Sequence, residues 1–197
     1  MGKAKRMIFG VGYNSGGVYV TKEFGKNTYG YSAWYDMMRR CYSEKHQANN
    51  PTYIGCTVDV EWHDFQVFAK WLANQKLKSN GYHLDKDLLV NGNKIYSKDT
   101  CSLVPMEINL LLNSCSKRRG DYPVGVRLHK HKGSFEAQIS INGKHRSLGY
   151  YKNTDEAHDA YVIAKEQYVK DKALEWKPYM DRKVFNALMN WRVERDK

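Results

Sequence analysis

The chain has 197 residues, 42% of them hydrophobic and 13% aromatic, enough for one medium domain or two small ones built without disulfides or metal. Lys and Arg number 32 against 21 Asp and Glu, a net charge of +11, which points to a polyanionic partner because clustered cations release counterions condensed on nucleic acid. No apolar run approaches the roughly 18 residues of a membrane span and no signal-like segment is visible, so no membrane partner is expected. In chain order, residues 1–30 are rich in Gly, Tyr and Lys, and Gly16-Gly17 sets a turn between two short apolar alternations, predicting an extended arm or loose hairpin. From Tyr31 a helix is predicted, capped by Ser32, with Trp34, Met37, Met38, Cys41 and Tyr42 at i, i+3, i+4, i+7 and i+8. Asn49-Asn50-Pro51 ends that pattern.

A short strand is predicted over Cys56 to Val60, then a helix from about His63 to Asn74 that turns Phe65, Phe68, Ala69 and Leu72 inward. After a turn at Ser79-Asn80-Gly81, residues 82–105 read as strand, Asn91-Gly92 turn and strand, followed by an amphipathic helix from Glu107 through Asn113. This is a ββα order. The four cysteines (Cys41, Cys56, Cys101 and Cys115) show no C-x-x-C spacing and read as free thiols in a reducing cytosol.

Ser116 to Gly120 forms a polar, basic linker and the expected domain boundary. Beyond it Val124, Val126 and Leu128 alternate with Gly125, Arg127 and His129, and Phe135, Ala137, Ile139 and Ile141 alternate with Glu136, Gln138, Ser140 and Asn142. Asn142-Gly143 is a second turn signal, and Lys144 to Tyr150 makes a third strand. Period-two alternation sorts these side chains onto an apolar face and a polar face. Asn153-Thr-Asp-Glu156 caps a helix whose Ala157, Ala160, Tyr161, Ala164 and Tyr168 would cover the apolar face. A last helix, about Arg182 to Arg195, carries Val184, Phe185, Leu188 and Trp191 on one side. The expected architecture is α+β: an arm or hairpin over 1–30, a helical ββα domain over 31–116, a three-stranded antiparallel sheet packed on one helix over 117–172, and a C-terminal helix over 173–197.

Between Lys117 and Lys152 nine basic residues stand against Asp121 and Glu136, so this stretch carries +7 of the total charge. Arg127, His129, Gln138, Ser140, His145 and Ser147 share the polar face, and Lys130, Lys132, Lys144 and Arg146 rim it. Strands can enter a major groove, where Arg pairs with guanine and Gln with adenine while rim cations hold phosphates. An ordinary solvated sheet face would also be polar. Such faces normally mix charges of both signs, however, and Glu136 is the only acid between Arg127 and Arg146. Double-stranded DNA is therefore the expected partner, and no small-molecule substrate is expected.

Gly125-Val-Arg127, Phe135-x-Ala-Gln-Ile139, Ser147-Leu-Gly149-Tyr, Thr154-Asp-Glu-Ala157 and Ala160-Tyr161 together resemble the APETALA/ethylene-response-factor DNA-binding domain over about 50 residues. The resemblance implies a three-stranded sheet laid in the major groove. Plant members carry arginines and tryptophans where this chain has His129, His145 and Ser147, so no target sequence transfers. In the first half, Trp34-x-x-Met37-x-x-Arg40-Cys-Tyr42, Tyr53-x-Gly-Cys-x-Val-x-x-Glu-Trp62, Leu84-Asp-Lys-Asp87, Gly92-Asn93 and Cys101-x-x-Val-Pro105 resemble phage HNH-type homing endonucleases over about 75 residues. That implies metal-dependent cleavage of a phosphodiester bond in the cytoplasm of an infected bacterial host.

Such a site needs one divalent cation and a neutral base near pH 7. Asp85 fits a metal ligand, and Asp99 would bind a hard cation such as magnesium. The base position holds Lys86, which is protonated near neutrality unless deeply desolvated and would sooner stabilise phosphorane charge. His83, two residues before Asp85 on the same strand face, is the only nearby imidazole that could substitute. The plainer reading makes Asp85 and Asp87 solvated carboxylates flanking a hairpin, His83 a surface strand residue and Asn93 the residue after a turn glycine. Three functions follow: a DNA endonuclease, a catalytically inactive DNA binder acting as repressor or site competitor, and a factor whose basic face meets an acidic protein.

Overall fold

Residues 13–19, ahead of the first helix, are tied down by the start of a later one. In the computed structural model, which describes residues 7–75, 81–112, 121–129 and 133–194, Tyr13 bridges to Asp64. Asp64, itself buried, accepts the Ser15 and Gln66 N–H groups, and the Gln66 amide donates to Asn14 Oδ1 and Tyr19 O. The hairpin foreseen at Gly16-Gly17 lies further along. Strands β1 (Lys22–Glu23) and β2 (Lys26–Asn27) close at Phe24-Gly25, where both residues have positive φ, a turn whose twist matches that of the paired strands.

Helix α1 (Tyr29–Tyr42) is capped by Thr28 instead of Ser32. The Thr28 hydroxyl accepts the Tyr31 N–H at 3.2 Å, so the helix starts earlier and Ser32 lies inside it. Its stripe lands as expected, with Trp34, Met37, Met38 and Cys41 buried. Ser43 then caps a short helix α2 (Glu44–Asn49) that the apolar periodicity does not announce, because α2 buries no residue. The strand expected over 56–60 shrinks to β3 (Thr57–Val58), after which Val60–His63 form a 3-10 turn. Helix α3 (Phe65–Ala73), capped by Asp64, buries Phe65, Phe68, Ala69 and Leu72 as its spacing requires. Trp34 donates its indole N–H to Trp62 O at 2.8 Å, which satisfies the polar atom of a fully buried ring. Cys41, Cys56 and Cys101 lie in this core as free thiols, and burial pushes the Cys41 and Cys101 thiols up to about 12. Cys115 falls outside the described residues.

The segment after Gly81 departs from the expected hairpin. Strand β4 (Tyr82–Asp85) pairs antiparallel with β6 (Ser102–Pro105), whereas β5 (Ile95–Tyr96) pairs parallel with β3. Asn91-Gly92 therefore turns the chain within a long excursion and does not join two partner strands. Helix α4 (Met106–Leu112) follows, so the chain here runs through three strands to a helix where a two-stranded hairpin and a helix were expected.

The chain divides into two compact units, Met1–Met106 with Tyr179–Val184, and Glu107–Pro178 with Phe185–Lys197. The linker Ser116–Gly120 lies outside the described residues, and α4 packs with the second unit. There Glu107 pairs with Lys172 at 2.7 Å and Lys165 donates to Leu111 O at 2.7 Å. Strands β7 (Val126–His129), β8 (Ser134–Ile141) and β9 (Lys144–Tyr151) form the expected antiparallel sheet in that order. Helix α5 (Thr154–Trp176) covers one face; Asn153 Oδ1 caps the Glu156 N–H at 2.9 Å, and the Asn153 amide returns a bond to the Glu156 carboxylate. Of the foreseen stripe Ala157 is fully buried and Ala160, Tyr161, Ala164 and Tyr168 are half-buried; Val169, Lys172 and Ala173 lie deeper. The last helix, α6 (Arg182–Met189), stops well short of Arg195, with Val184 and Leu188 buried. The fold is α+β, and among the described residues no helix is long and apolar enough to cross a membrane.

Candidate nucleic-acid interface

The sheet is pinned to its helix by a glycine. At Gly125 a side chain is excluded twice over, by a φ of +80° and by the Tyr161 ring, which fills the place where a Cβ would stand. Val126, Ala137 and Ile139 fill the covered face, with Phe135 and Ile141 half-buried beside them; Leu128, expected there, is exposed.

The opposite face is ordered by register. Arg127 stands across from Glu136, Gln138 from Ser147, and Ser140 from His145. Facing residues on neighbouring strands share a side of the sheet, so these six form one surface. Arg127, Glu136, Gln138, His145, Arg146 and Ser147 line an open depression of about 310 Å³. Lys144 and Arg146 are exposed on the edge strand β9. His129 sits at the far end, opposite Ser134, with its ring edge-on to Tyr150 at 5.2 Å. Lys130 and Lys132 lie outside the described residues, as do Lys117, Arg118 and Arg119.

The structure adds one member to this surface and withdraws another from solvent. A bulge at the Ala137/Gln138 step shifts the register of β9, so Gly149 faces buried Ala137 and Tyr150 stands opposite Glu136 on the open face. The unbroken alternation of Lys144 to Tyr150 predicts the reverse. The second is Glu136. Its Oε2 accepts from Arg127 Nε at 2.8 Å and from Nη2 at 2.7 Å; its side chain is 4% exposed while that of Arg127 is 59% exposed. The Ser147 side chain, and then Arg127, hold the Glu136 carboxyl below the usual carboxylate range. The only acid between Arg127 and Arg146 is thus withdrawn from solvent, and what the face presents outward is cationic or neutral. Counting back across the β7–β8 turn would have set Arg127 against Glu136; nothing in the sequence says which of the two is covered.

The candidate cleavage residues have a different setting. His83 and Asp85 share a face of β4 opposite Val104 and Ser102, as expected. Asp85 Oδ1 accepts the N–H groups of Asp87 at 3.1 Å and Leu88 at 2.7 Å, so the carboxylate shapes its own turn; burial raises the Asp85 carboxyl above its ordinary value. Lys86 is buried, donating to Asp87 Oδ2 and to Asn93 O, each at 2.8 Å. Burial pulls the Lys86 ammonium down, but the Asp87 hydrogen bond and charge outweigh it and leave it above its ordinary value. Asn93, the residue after the turn glycine, donates from its amide to Lys86 O and Ile95 O, each at 2.7 Å, and accepts the Ile95 N–H. Asp99 is exposed on a turn. Lys86 is in no state to accept a proton from water, and it stabilises the 86–95 excursion from inside. Among the described residues no three His, Cys, Asp or Glu side chains come together in a group fit to hold a metal ion, and the Asp85 oxygen that caps its turn is not a free donor.

No protein-family model matches the chain, and no curated protein or solved structure matches it.

Proposed function

We propose that this chain binds double-stranded DNA sequence-selectively through the open face of β7, β8 and β9, as a binding protein whose first unit does not cut. The observation that carries the reading is the withdrawal of Glu136. A sheet face covered by a helix behind and offering Arg127, Gln138, Ser140, His145 and Ser147 in adjacent register has, among the described residues, no exposed carboxylate to repel phosphates. Guanidinium, amide, imidazole and hydroxyl groups match the donor and acceptor edges of bases in a major groove, with exposed Arg146 at the edge of the depression to meet the backbone. The resemblance of the same strands to the APETALA/ethylene-response-factor domain supports this mode. A protein that occupies a duplex site without cleaving it acts as a repressor or as a competitor at that site.

The test is binding of labelled duplexes across a salt series. A steep fall in affinity with salt is expected, and a preferred sequence should emerge from a randomised pool. Arg127→Ala should lower discrimination between preferred and random duplex by on the order of 1–3 kcal/mol. If that variant binds both as the parent does, the face is wrongly chosen; weak, salt-insensitive binding would favour an acidic protein as the partner. Cleavage by the HNH-like first unit is the competing reading, and the Lys86–Asp87–Asn93 clamp weighs against it. Incubation of the full chain with supercoiled plasmid and magnesium is expected to leave the plasmid intact. Nicking that disappears in Asp85→Asn would reinstate the nuclease.

A further inference from the structure

Arg127 carries five N–H donors in a planar fork, and the way Glu136 holds it determines which remain. The Nε–H and one Nη2–H, which make up the long side of the fork, both point to Glu136 Oε2. Among the described residues nothing else bonds this guanidinium, and its side chain is mostly exposed. Three of the five donors remain: one N–H on each terminal nitrogen, which together make the end of the fork beside the depression shared with Gln138, His145 and Ser147, and the second Nη1–H. Two parallel donors at that spacing match the O6 and N7 acceptors of guanine in a major groove, and no other base offers two acceptors side by side there. Glu136 cannot swing away easily, because its side chain is buried beneath the face. An arginine held along one edge also has less rotamer freedom to lose on docking.

We infer that Glu136 is a positioning residue that locks Arg127 side-on, so that the sheet reads a guanine end-on through the Arg127 terminal nitrogens. This rests on the DNA-binding reading above and deepens it by naming the base and the residue that selects it. Ser147 belongs to the same device as the second support of the carboxylate.

The experiment uses the full chain and duplexes selected from a randomised pool by the unaltered protein. A selected site should contain a guanine whose replacement by 7-deazaguanine, which lacks the N7 acceptor, lowers affinity about tenfold. Glu136→Gln removes a negative charge from the face, so random-duplex affinity should rise while the preference for the selected site over random duplex falls about tenfold and the 7-deazaguanine penalty shrinks towards none. A general loss of fold would weaken both duplexes together and would not erase the response to a single atom. Arg127→Lys is the second variant: it keeps a cation against Glu136 but has no fork, and it too should lose the 7-deazaguanine penalty. The inference is overturned if the selected sites show no guanine dependence, or if Glu136→Gln keeps both the site preference and the 7-deazaguanine penalty. Failure of the unaltered protein to select any sequence would overturn the DNA-reading proposal itself, and this inference with it.

Discussion

An ion pair in each unit has one partner buried, and between Lys86–Asp87 and Arg127–Glu136 the buried sign is exchanged. In the first, the cation is inside: the Lys86 side chain is 8% exposed and Asp87 is 50% exposed. In the second, the anion is inside and Arg127 faces out over Glu136. A buried ammonium satisfied by a carboxylate and a carbonyl ties two stretches of loop together and presents nothing to a ligand. A buried carboxylate satisfied from above leaves a guanidinium on the surface with a fixed orientation and unused donors. The same interaction thus serves as a lock in one place and as an aimed contact in the other, and the difference lies in which sign reaches water.

The sharpest way to break this comparison is to remove the inner partner of the lock. Lys86→Met leaves Asn93 O without its donor and Asp87 without its cation, and should cost about 1–3 kcal/mol of stability in urea denaturation. An unchanged midpoint would mean that the clamp holds nothing. Glu136 and Asp85 should also answer acid with opposite sign. Glu136 has a lowered pKa in the folded protein, so its contribution is present above the unfolded carboxylate pKa and is lost as pH falls through the folded value. Thermal unfolding measured from pH 7 downward should therefore show a fall in stability that is weaker in Glu136→Gln. Asp85 has a raised pKa, so its contribution favours the protonated form and is lost as pH rises through the folded value. The smallest effect follows from that. Asp85→Asn keeps an oxygen for the Asp87 and Leu88 N–H groups without a buried charge and should stabilise by less than about 1 kcal/mol at pH 7, the gain vanishing in acid. A large loss at pH 7 would show that the Asp85 charge itself is needed.

Much of the framework was legible. The stripes Trp34-Met37-Met38-Cys41 and Phe65-Phe68-Ala69-Leu72, the alternation of β8, and the Asn153 cap all occupy the places their spacing assigned, whereas in β7 Leu128 is exposed. These features depend on neighbours within a few residues. The Asn91-Gly92 signal misled for the complementary reason: a turn dipeptide sets only local dihedrals, and β4 found β6 while β5 found β3. In the candidate interface Arg127, Gln138, Ser140, His145 and Ser147 were assigned to one face by alternation alone. Tyr150 was not, because one bulge reverses the parity of everything beyond it.

By itself, then, the chain's sequence determined the α+β content, the inward stripes and the concentration of positive charge between Lys117 and Lys152. Only the tertiary structure decided that Glu136 lies beneath Arg127 and Lys86 beneath Asp87, and hence which of these charges a partner can meet. Periodicity is a property of consecutive residues, whereas the burial of one particular charge depends on strands and loops brought together from separate parts of the chain, and a one-residue shift in their register exchanges inside for outside.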